Sequence, residues 1–265
     1  MNSKATKLEA FGRLLDVMDN LREKCPWDQK QTFETLRHLT VEETYELGDA
    51  ILNNDLPEIK KELGDLLLHI VFYAKLGSEQ KAFDISDVAD EIVKKLIYRH
   101  PHIYGDVTVK DEAEVKRNWE SLKLSEGKKS VLEGVPKGLP ALIKAQRIQE
   151  KAAGVGFDWN SKEQVWSKVE EELSELEEAI VNDNKESIED EFGDVFFSMI
   201  NYARFLKINP ESALERTNRK FIRRFQYIEV EAKKQDASIE TLSLEAMEAL
   251  WVKAKNQLSS EDSAS

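Results

Sequence analysis

The sequence predicts an all-α fold made of tandem, four-helix-bundle-like units, and three observations carry that prediction. Apolar residues recur at helical spacing along nearly the whole chain, with no convincing run of period-two alternation. The composition, 34% charged and 41% hydrophobic with 11 Gly and 6 Pro in 265 residues, favours a helix-rich chain over a sandwich or barrel. Acidic and basic motifs also occur twice in the same order, which makes duplication of one helical unit the simplest account.

Taken in chain order, Leu8, Phe11, Leu15, Met18 and Leu21 share one face of a first helix. Further starts are predicted at Asp55 with Pro57, at Ser86, at Ser161, and at Asn209 with Pro210. A short polar side chain there accepts from free N–H groups, and proline suits the first turn because it has no N–H to leave unpaired. The stretch from Ser125 to Pro140, rich in Gly, Lys and Pro, interrupts the periodicity and reads as a linker. The expected organisation is an N-terminal helical domain over 1–124, a linker over 125–138, a C-terminal helical domain over 139–258 and a disordered tail over 259–265.

Composition also bounds the function. A net charge of −13 argues against a general nucleic-acid-binding role, which needs a basic surface, but not against a nucleotide whose phosphates reach carboxylates through a metal ion. No apolar run approaches the roughly 18 residues of a membrane span. Cys25 is the one cysteine and the N-terminus lacks an apolar signal core, so a cytoplasmic location is expected.

The repeat is chemical as well as structural. Glu42-Glu43-Thr44-Tyr45-Glu46 precedes Glu62-Leu63-Gly64-Asp65, and Glu171-Glu172-Leu173-Ser174-Glu175 precedes Glu191-Phe192-Gly193-Asp194 at the same interval. One such acidic run is ordinarily a solvated helix face. Here Glu43 falls inside the apolar arc of Leu36, Leu39, Leu47 and Ala50, with Glu46 at its edge, and Glu172 lies at the margin of the stripe Val165, Val169, Leu173, Leu176 and Ile180, flanked by Glu175. On the following helices, Ile59, Leu63, Leu66, Ile70 and Ala74 face a core with Glu62 and Asp65 alongside, as do Ile188, Phe192, Val195, Met199 and Ala203 with Glu191 and Asp194. Carboxylates drawn into an apolar seam need a compensating cation. Two such helices packed together would converge several oxygen ligands, which suits Mg²⁺ or Mn²⁺ rather than zinc. Gly64 and Gly193, mid-helix, suggest close approach of a neighbouring helix, metal or ligand. A di-iron site is disfavoured, because none of the four histidines has Glu three residues before it.

Cationic partners also recur. Lys95 and Arg99 stand four apart, as do Lys220 and Arg224, and Trp119 with Lys123 is matched by Trp251 with Lys255. These pairs read either as phosphate and base contacts or as a solvated basic surface beside a buried Trp under a snorkelling Lys.

The set resembles the MazG family of nucleoside triphosphate pyrophosphohydrolases. The doubled EExxE and ExxD motifs carry the resemblance, with Cys25-Pro26-Trp27-Asp28, Arg99-His100-Pro101-His102, Leu139-Pro140-Ala141-Leu142 and Val155-Gly156-Phe157-Asp158-Trp159 as connecting motifs of the two-domain form. The resemblance implies an all-α homodimer that uses Mg²⁺ to hydrolyse NTPs or dNTPs to monophosphate and pyrophosphate, with broad base tolerance and a nucleotide-pool house-cleaning role. It implies catalysis in the C-terminal unit, with Glu172, Glu175, Glu191 and Asp194 as metal ligands and Glu171 or Glu172 positioning or deprotonating water. It further implies nucleotide contacts from Lys168, Lys220, Arg224, Trp251 and Lys255. The first copy retains Glu43, Glu46, Glu62 and Asp65, so its residues alone leave it equally armed. The competing readings are a narrow dNTP or phosphoribosyl-ATP pyrophosphatase and a non-catalytic helical module that binds nucleotide or metal.

Overall fold

The structure is a computed structural model that describes residues 2–111, 114–115, 118–119, 122, 130–235 and 238–262, with side chains as far as 257. Among the described residues there are ten α-helices and no strand. They fall into two compact units, Met1–Val109 and Lys110–Ser265. The sequence-predicted Lys123 lies outside the described residues.

Unit 1 contains α1 (Lys4–Lys24), α2 (Phe33–Leu52), α3 (Leu56–Glu79), α4 (Ile85–Arg99) and the single-turn α5 (Pro101–Tyr104). Its core is Met18, Leu36, Val71, Phe72 and Leu76, with Phe11, Leu14, Leu15 and Ile85 packed against it. Polar ties fix the outer helix: Arg22 donates to both carboxylate oxygens of Glu79 at 2.9 and 2.8 Å, and Lys75 pairs with Asp19 at 2.7 Å. Unit 2 contains α6 (Ala141–Ala153), α7 (Lys162–Val181), α8 (Lys185–Phe205), α9 (Pro210–Lys234) and α10 (Leu244–Asp262). Val165, Val169, Ala179, Ile200, Ile228, Ala232, Leu250 and Ala254 are the buried apolar residues among those described in it. Helix α10 runs into the first residues of the tail expected from the sequence.

The predicted helix starts at Asp55, Ser161 and Asn209 are N-caps, each accepting from the backbone N–H three residues on. The start expected at Ser86 is displaced. Asp84 caps α4, because its carboxylate accepts from both Ser86 N and Asp87 N while Asp87 reaches back to the N–H of Asp84.

The two acidic hairpins, α2–α3 and α7–α8, close in the same way. Each turn holds a short polar residue with positive φ, Asn54 at 54° and Asp183 at 50°, followed by an N-cap. Asn and Asp tolerate that left-handed conformation better than other non-glycine residues. The helix ends repeat too: Lys81 and Lys207 follow α3 and α8 with φ of 55° and 58°. Turn geometry therefore records the duplication that the acidic motifs announce.

Two sequence expectations are corrected. Several positions expected to face a core are exposed within the unit, among them Leu63, Ile70, Leu173, Ile180, Phe192 and Met199. Each acidic hairpin carries more apolar surface than the remaining helices of its unit cover, and the buried stripe passes instead through Glu62 and His69 in α3 and Ser198 and Ile200 in α8. Nor, among the described residues, does a neighbouring helix close on Gly64 or Gly193, since a Cβ at either position would meet nothing within 4 Å.

The core of unit 1 gives a direct stability test. Leu36 is 1% exposed in the centre of the cluster, so Leu36→Ala should destabilise the fold by about 2–5 kcal/mol through lost burial and a residual cavity. Urea unfolding monitored by circular dichroism measures the change.

Candidate metal and nucleotide site

Each acidic hairpin presents a triad of carboxylates. Oxygens of Glu172, Glu175 and Glu191 lie within 4.8 Å of one another, and those of Glu43, Glu46 and Glu62 do the same in unit 1. The first two members of each triad come from successive turns of one helix, and the third comes from its hairpin partner. The i, i+3 spacing places the pair on one face, and the short turn brings the second helix alongside.

Burial of these groups is graded. Glu62 is fully buried, Glu172 is nearly so, and Glu175 and Glu46 stand at the open side. Glu62 Oε2 and Glu191 Oε2 are buried with no hydrogen-bond partner among the described residues. These two oxygens occupy matching positions of the repeat, and an unpaired buried carboxylate oxygen is costly. The like-charged neighbours leave their mark on the others. Desolvation, followed by Glu172 and then Glu191, pushes Glu175 above the usual carboxylate range. Desolvation, Asp65 and Glu62 do the same to Glu43.

Lysines offset part of this charge, and the copies place them differently. Lys168 Nζ bridges Glu171 at 2.8 Å and Glu172 at 2.9 Å from one turn earlier on α7. In unit 1 the ammonium belongs to Lys61, 2.8 Å from Glu62 and 2.7 Å from Glu58. Hydrogen bonds to these carboxylates hold both ammonium groups in their charged form. Sequence reading did not single out Lys61. Its signal was a basic residue directly before a buried Glu.

Asp194 is not part of the triad. It lines a cavity of about 160 Å³ together with Lys168 and Glu172. Asp65 faces the triad of unit 1 closely enough to raise Glu43 and to oppose the downward shift that burial imposes on His69. Beside the triad of unit 2, Glu175 and Glu191 also line a polar cavity of about 270 Å³ with Glu178, Asn182, Asn184 and Ser187.

The basic and aromatic residues of the second copy gather on α9 and α10. The Arg224 guanidinium lies 5.4 Å from the centre of the Trp251 ring, and Phe221 packs on the same ring at 5.1 Å. Lys220 and Lys255 are exposed on these two helices. In the first copy Lys95 is exposed on α4, Arg99 ends that helix half-buried, and Trp119 is half-buried. Asp158 and Trp159, noted in the sequence only as part of a connecting motif, belong to a polar cluster. Arg204 holds Asp158 with two hydrogen bonds, one of them 2.9 Å, and also donates to Asn201.

The donor set fits a hard divalent cation. Every ligand candidate is a carboxylate oxygen, two such oxygens are buried and unpaired, and mutual repulsion would be relieved by a positive ion at the centre. In unit 2 the groups positioned to hold it are Glu172, Glu175 and Glu191, with Asp194 lining the adjoining cavity.

Known proteins share this arrangement of sequence. The family model described as the MazG nucleotide pyrophosphohydrolase domain matches residues 31–104 and again 160–228, once over each acidic hairpin. The nucleoside triphosphate pyrophosphohydrolase of Escherichia coli strain K12 is 41% identical over 94% of this chain and 98% of its own length. The nucleoside triphosphate pyrophosphohydrolase/pyrophosphatase MazG of Thermotoga maritima is 44% identical over 92% and 95%.

The pH dependence of metal binding follows from the raised carboxyls. A folded-state pKa above the ordinary value means that Glu175 and Glu43 take up protons in a window beginning above the usual carboxylate range. A cation must displace those protons, so Mg²⁺ affinity should fall as the pH drops from neutral into that window, with proton release on binding there. Without metal, the same shift should make the fold less stable above that window than within it. Calorimetric titration with MgCl₂ in buffers of different ionisation enthalpy measures the release.

Proposed function

The chain belongs to the MazG family of nucleoside triphosphate pyrophosphohydrolases, and from that premise we propose how its residues perform the reaction. It hydrolyses nucleoside triphosphates to the monophosphate and pyrophosphate. The observation that carries the mechanism is the triad of Glu172, Glu175 and Glu191, with its buried, unpaired Glu191 oxygen.

Glu172, Glu175 and Glu191, with Asp194 beside them, would hold Mg²⁺, or Mn²⁺ in its place, against the triphosphate. Such an ion would supply positive charge against the phosphates and make a nearby water easier to deprotonate. Glu171 is exposed at the rim of this group and paired with Lys168 at 2.8 Å. A carboxylate there, Glu171 or its neighbour Glu172, takes the proton of the water that attacks the α-phosphorus. Lys168 exchanges part of its pairing with Glu171 and Glu172 for a phosphate oxygen. Lys220 and Arg224 balance the charge that develops on the leaving pyrophosphate, while Trp251 and Lys255 contact the nucleotide. No covalent enzyme intermediate is needed.

The catalytic assignment falls on the C-terminal copy, which we place at 139–258. The first copy, within 1–124, keeps a triad of its own and the counterpart contacts Lys95, Arg99, Trp119 and Lys123. The linker at 125–138 and the tail after 258 lie outside the catalytic unit in this reading. A homodimer would cover the apolar residues left exposed on the acidic hairpins, Phe192, Phe196 and Met199 on α8 and Leu63, Leu67 and Ile70 on α3. It would also bring a surface against Gly64 and Gly193. Broad base tolerance and a role in clearing the nucleotide pool agree with carboxylate chemistry that reads the phosphates alone. A cytoplasmic setting agrees with the single cysteine, and among the described residues no helix is long and apolar enough to cross a membrane. The acidic balance of −13 speaks against nucleic acid as a partner.

Product analysis tests the reaction. Incubation with each NTP and dNTP plus Mg²⁺ should release the monophosphate and pyrophosphate, whereas diphosphate and orthophosphate would overturn the cleavage position. Turnover confined to one base would replace the broad reading by the narrow dNTP or phosphoribosyl-ATP type, and binding without turnover would leave a non-catalytic module. Glu172→Gln should lower kcat at least about 100-fold, because it removes a charged ligand and disturbs Lys168. The variant's far-UV spectrum should stay native.

A further inference from the structure

The acidic hairpin of unit 2 is joined covalently at one end, through the turn at 182–184 between α7 and α8. Two helices tied at one end are free to splay at the other, and carboxylates shared between them would feel the splay. The open end is nevertheless fastened. Arg204, in the last turn of α8, stands about 20 Å along that helix from Glu191, and its guanidinium crosses to Asp158 in the loop that leads into α7. Nη1 donates to Asp158 Oδ2 at 2.9 Å and Nη2 donates to Asp158 Oδ1. Nε and Nη2 also donate to Asn201 Oδ1, at 3.1 and 2.8 Å. The planar guanidinium meets the carboxylate in two parallel bonds, a geometry that an ammonium cannot reproduce. Near the same end, the rings of Trp166 on α7 and Tyr202 on α8 pack 4.9 Å apart.

The loop that Arg204 grips is itself stiff, so the grip is transmitted. Gly156 follows α6 with a φ of 90°, a conformation that favours glycine, and Phe157 N donates back to the Ala152 carbonyl at 3.0 Å. Asp158 Oδ1 also accepts from Trp159 N at 2.9 Å, and Ser161 caps α7 two residues later. On the other side of the loop, the buried Gln149 of α6 donates to the Phe197 carbonyl of α8 at 2.8 Å. A pull on Asp158 is therefore a pull on the start of α7, the helix that carries Lys168, Glu171 and Glu172. The clamp also borders the site: Trp159 and Asn201, each hydrogen-bonded to one of its partners, line the 160 Å³ cavity with Lys168, Glu172 and Asp194.

Unit 1 fastens the open end of its own acidic hairpin with different residues. Arg22 of α1 donates to both oxygens of Glu79, the last residue of α3, and its Nη1 donates to the Asp28 carbonyl in the loop before α2. Both guanidinium groups lie over a phenylalanine of the second acidic helix, Phe72 at 5.7 Å and Phe205 at 4.7 Å. By the offset of the acidic motifs, the residue of unit 1 that corresponds to Arg204 is Lys75, which pairs with Asp19 instead. Two copies that reach the same bridge, from the loop before the first acidic helix to the end of the second, through residues that do not correspond point to a requirement at that place.

We propose that Arg204 is a positioning residue of the enzyme: by clamping Asp158 to the end of α8 it holds Lys168, Glu172 and Asp194 at the spacing that metal and triphosphate require. The proposal rests on the pyrophosphohydrolase reading. Arg204 acts through Asp158, Trp159 and Asn201 and touches no substrate, since its donors are committed to Asp158 and Asn201.

The test is a double-mutant cycle in the full-length protein, with Arg204→Met, Asp158→Asn and both together, each assayed well below its melting temperature. In either single variant kcat for pyrophosphate release from ATP should fall about tenfold with KM within about twofold, and the double variant should lose no more than either alone. Losses that multiply in the double variant overturn the proposal, because they make the two residues act separately. So does a rise in KM confined to Arg204→Met, which would put the guanidinium on the substrate, and so does a kcat within about twofold of wild type in folded variants. Arg204→Lys, which keeps the charge without the paired bonds, should stay impaired, and full recovery by lysine overturns the clamp. If Arg204→Met fails to fold, Arg204→Lys takes its place in the cycle. Calorimetric titration with MgCl₂, without nucleotide, separates the clamp from the reaction. Affinity that weakens about tenfold in both single variants sustains the clamp even if wild type releases no pyrophosphate, the result that would defeat the reaction itself. Unaltered affinity overturns the clamp even if catalysis is intact.

Discussion

Like charge held at close quarters is the constraint on which the rest of the structure depends. Each hairpin gathers three carboxylates within 4.8 Å, and an assembly of that kind is unfavourable unless a rigid frame enforces it and a cation offsets it. The frame is the helix pair: capped at its turn by Asp55 or Asn184, and backed in unit 2 by the buried residues Val165, Val169 and Ile200. The lysines offset only one edge of each group. What is left over, a buried oxygen of Glu62 and another of Glu191, is the attraction that a divalent cation would satisfy.

The same constraint is written twice but answered differently. Unit 2 keeps Lys168 on the helix of Glu172, reaching both Glu171 and Glu172. Unit 1 places Lys61 beside Glu62 on the second helix and buries His69 where unit 2 has Ser198. An ammonium already seated on the buried Glu62 competes with an incoming cation there, whereas Lys168 leaves Glu191 unengaged. This difference in charge placement supports assigning catalysis to the C-terminal copy. The ligand types do not distinguish the copies, since they are the same in both.

Burying carboxylates also shapes the apolar surface. A helix that turns Glu62 and His69 inward rotates Leu63 and Ile70 outward, and α8 likewise exposes Phe192, Phe196 and Met199. Apolar side chains in such number on one hairpin of a compact unit call for a partner surface. The enclosed carboxylates and the exposed apolar face are in this way two consequences of one helical register.

The all-α class, the duplication and the carboxylates were legible in the residues, because helical periodicity and motif spacing are local properties of the chain. Glu43, Glu46, Glu62, Glu172, Glu175 and Glu191 could be named from the sequence for that reason. Which face of each helix would be covered was not legible, since burial depends on how many neighbours a helix finds in three dimensions. Phe192 and Leu63 were expected inside and are exposed, while Glu62 is fully enclosed. Gln149, Arg204 and Asp158 carry no motif strong enough to mark them, and only packing unites them. The sequence by itself determined the helices and the chemistry they carry. The tertiary structure decided which charges are paired, which oxygens stay unpaired and which cavity adjoins them, because those depend on distances between residues far apart in the chain.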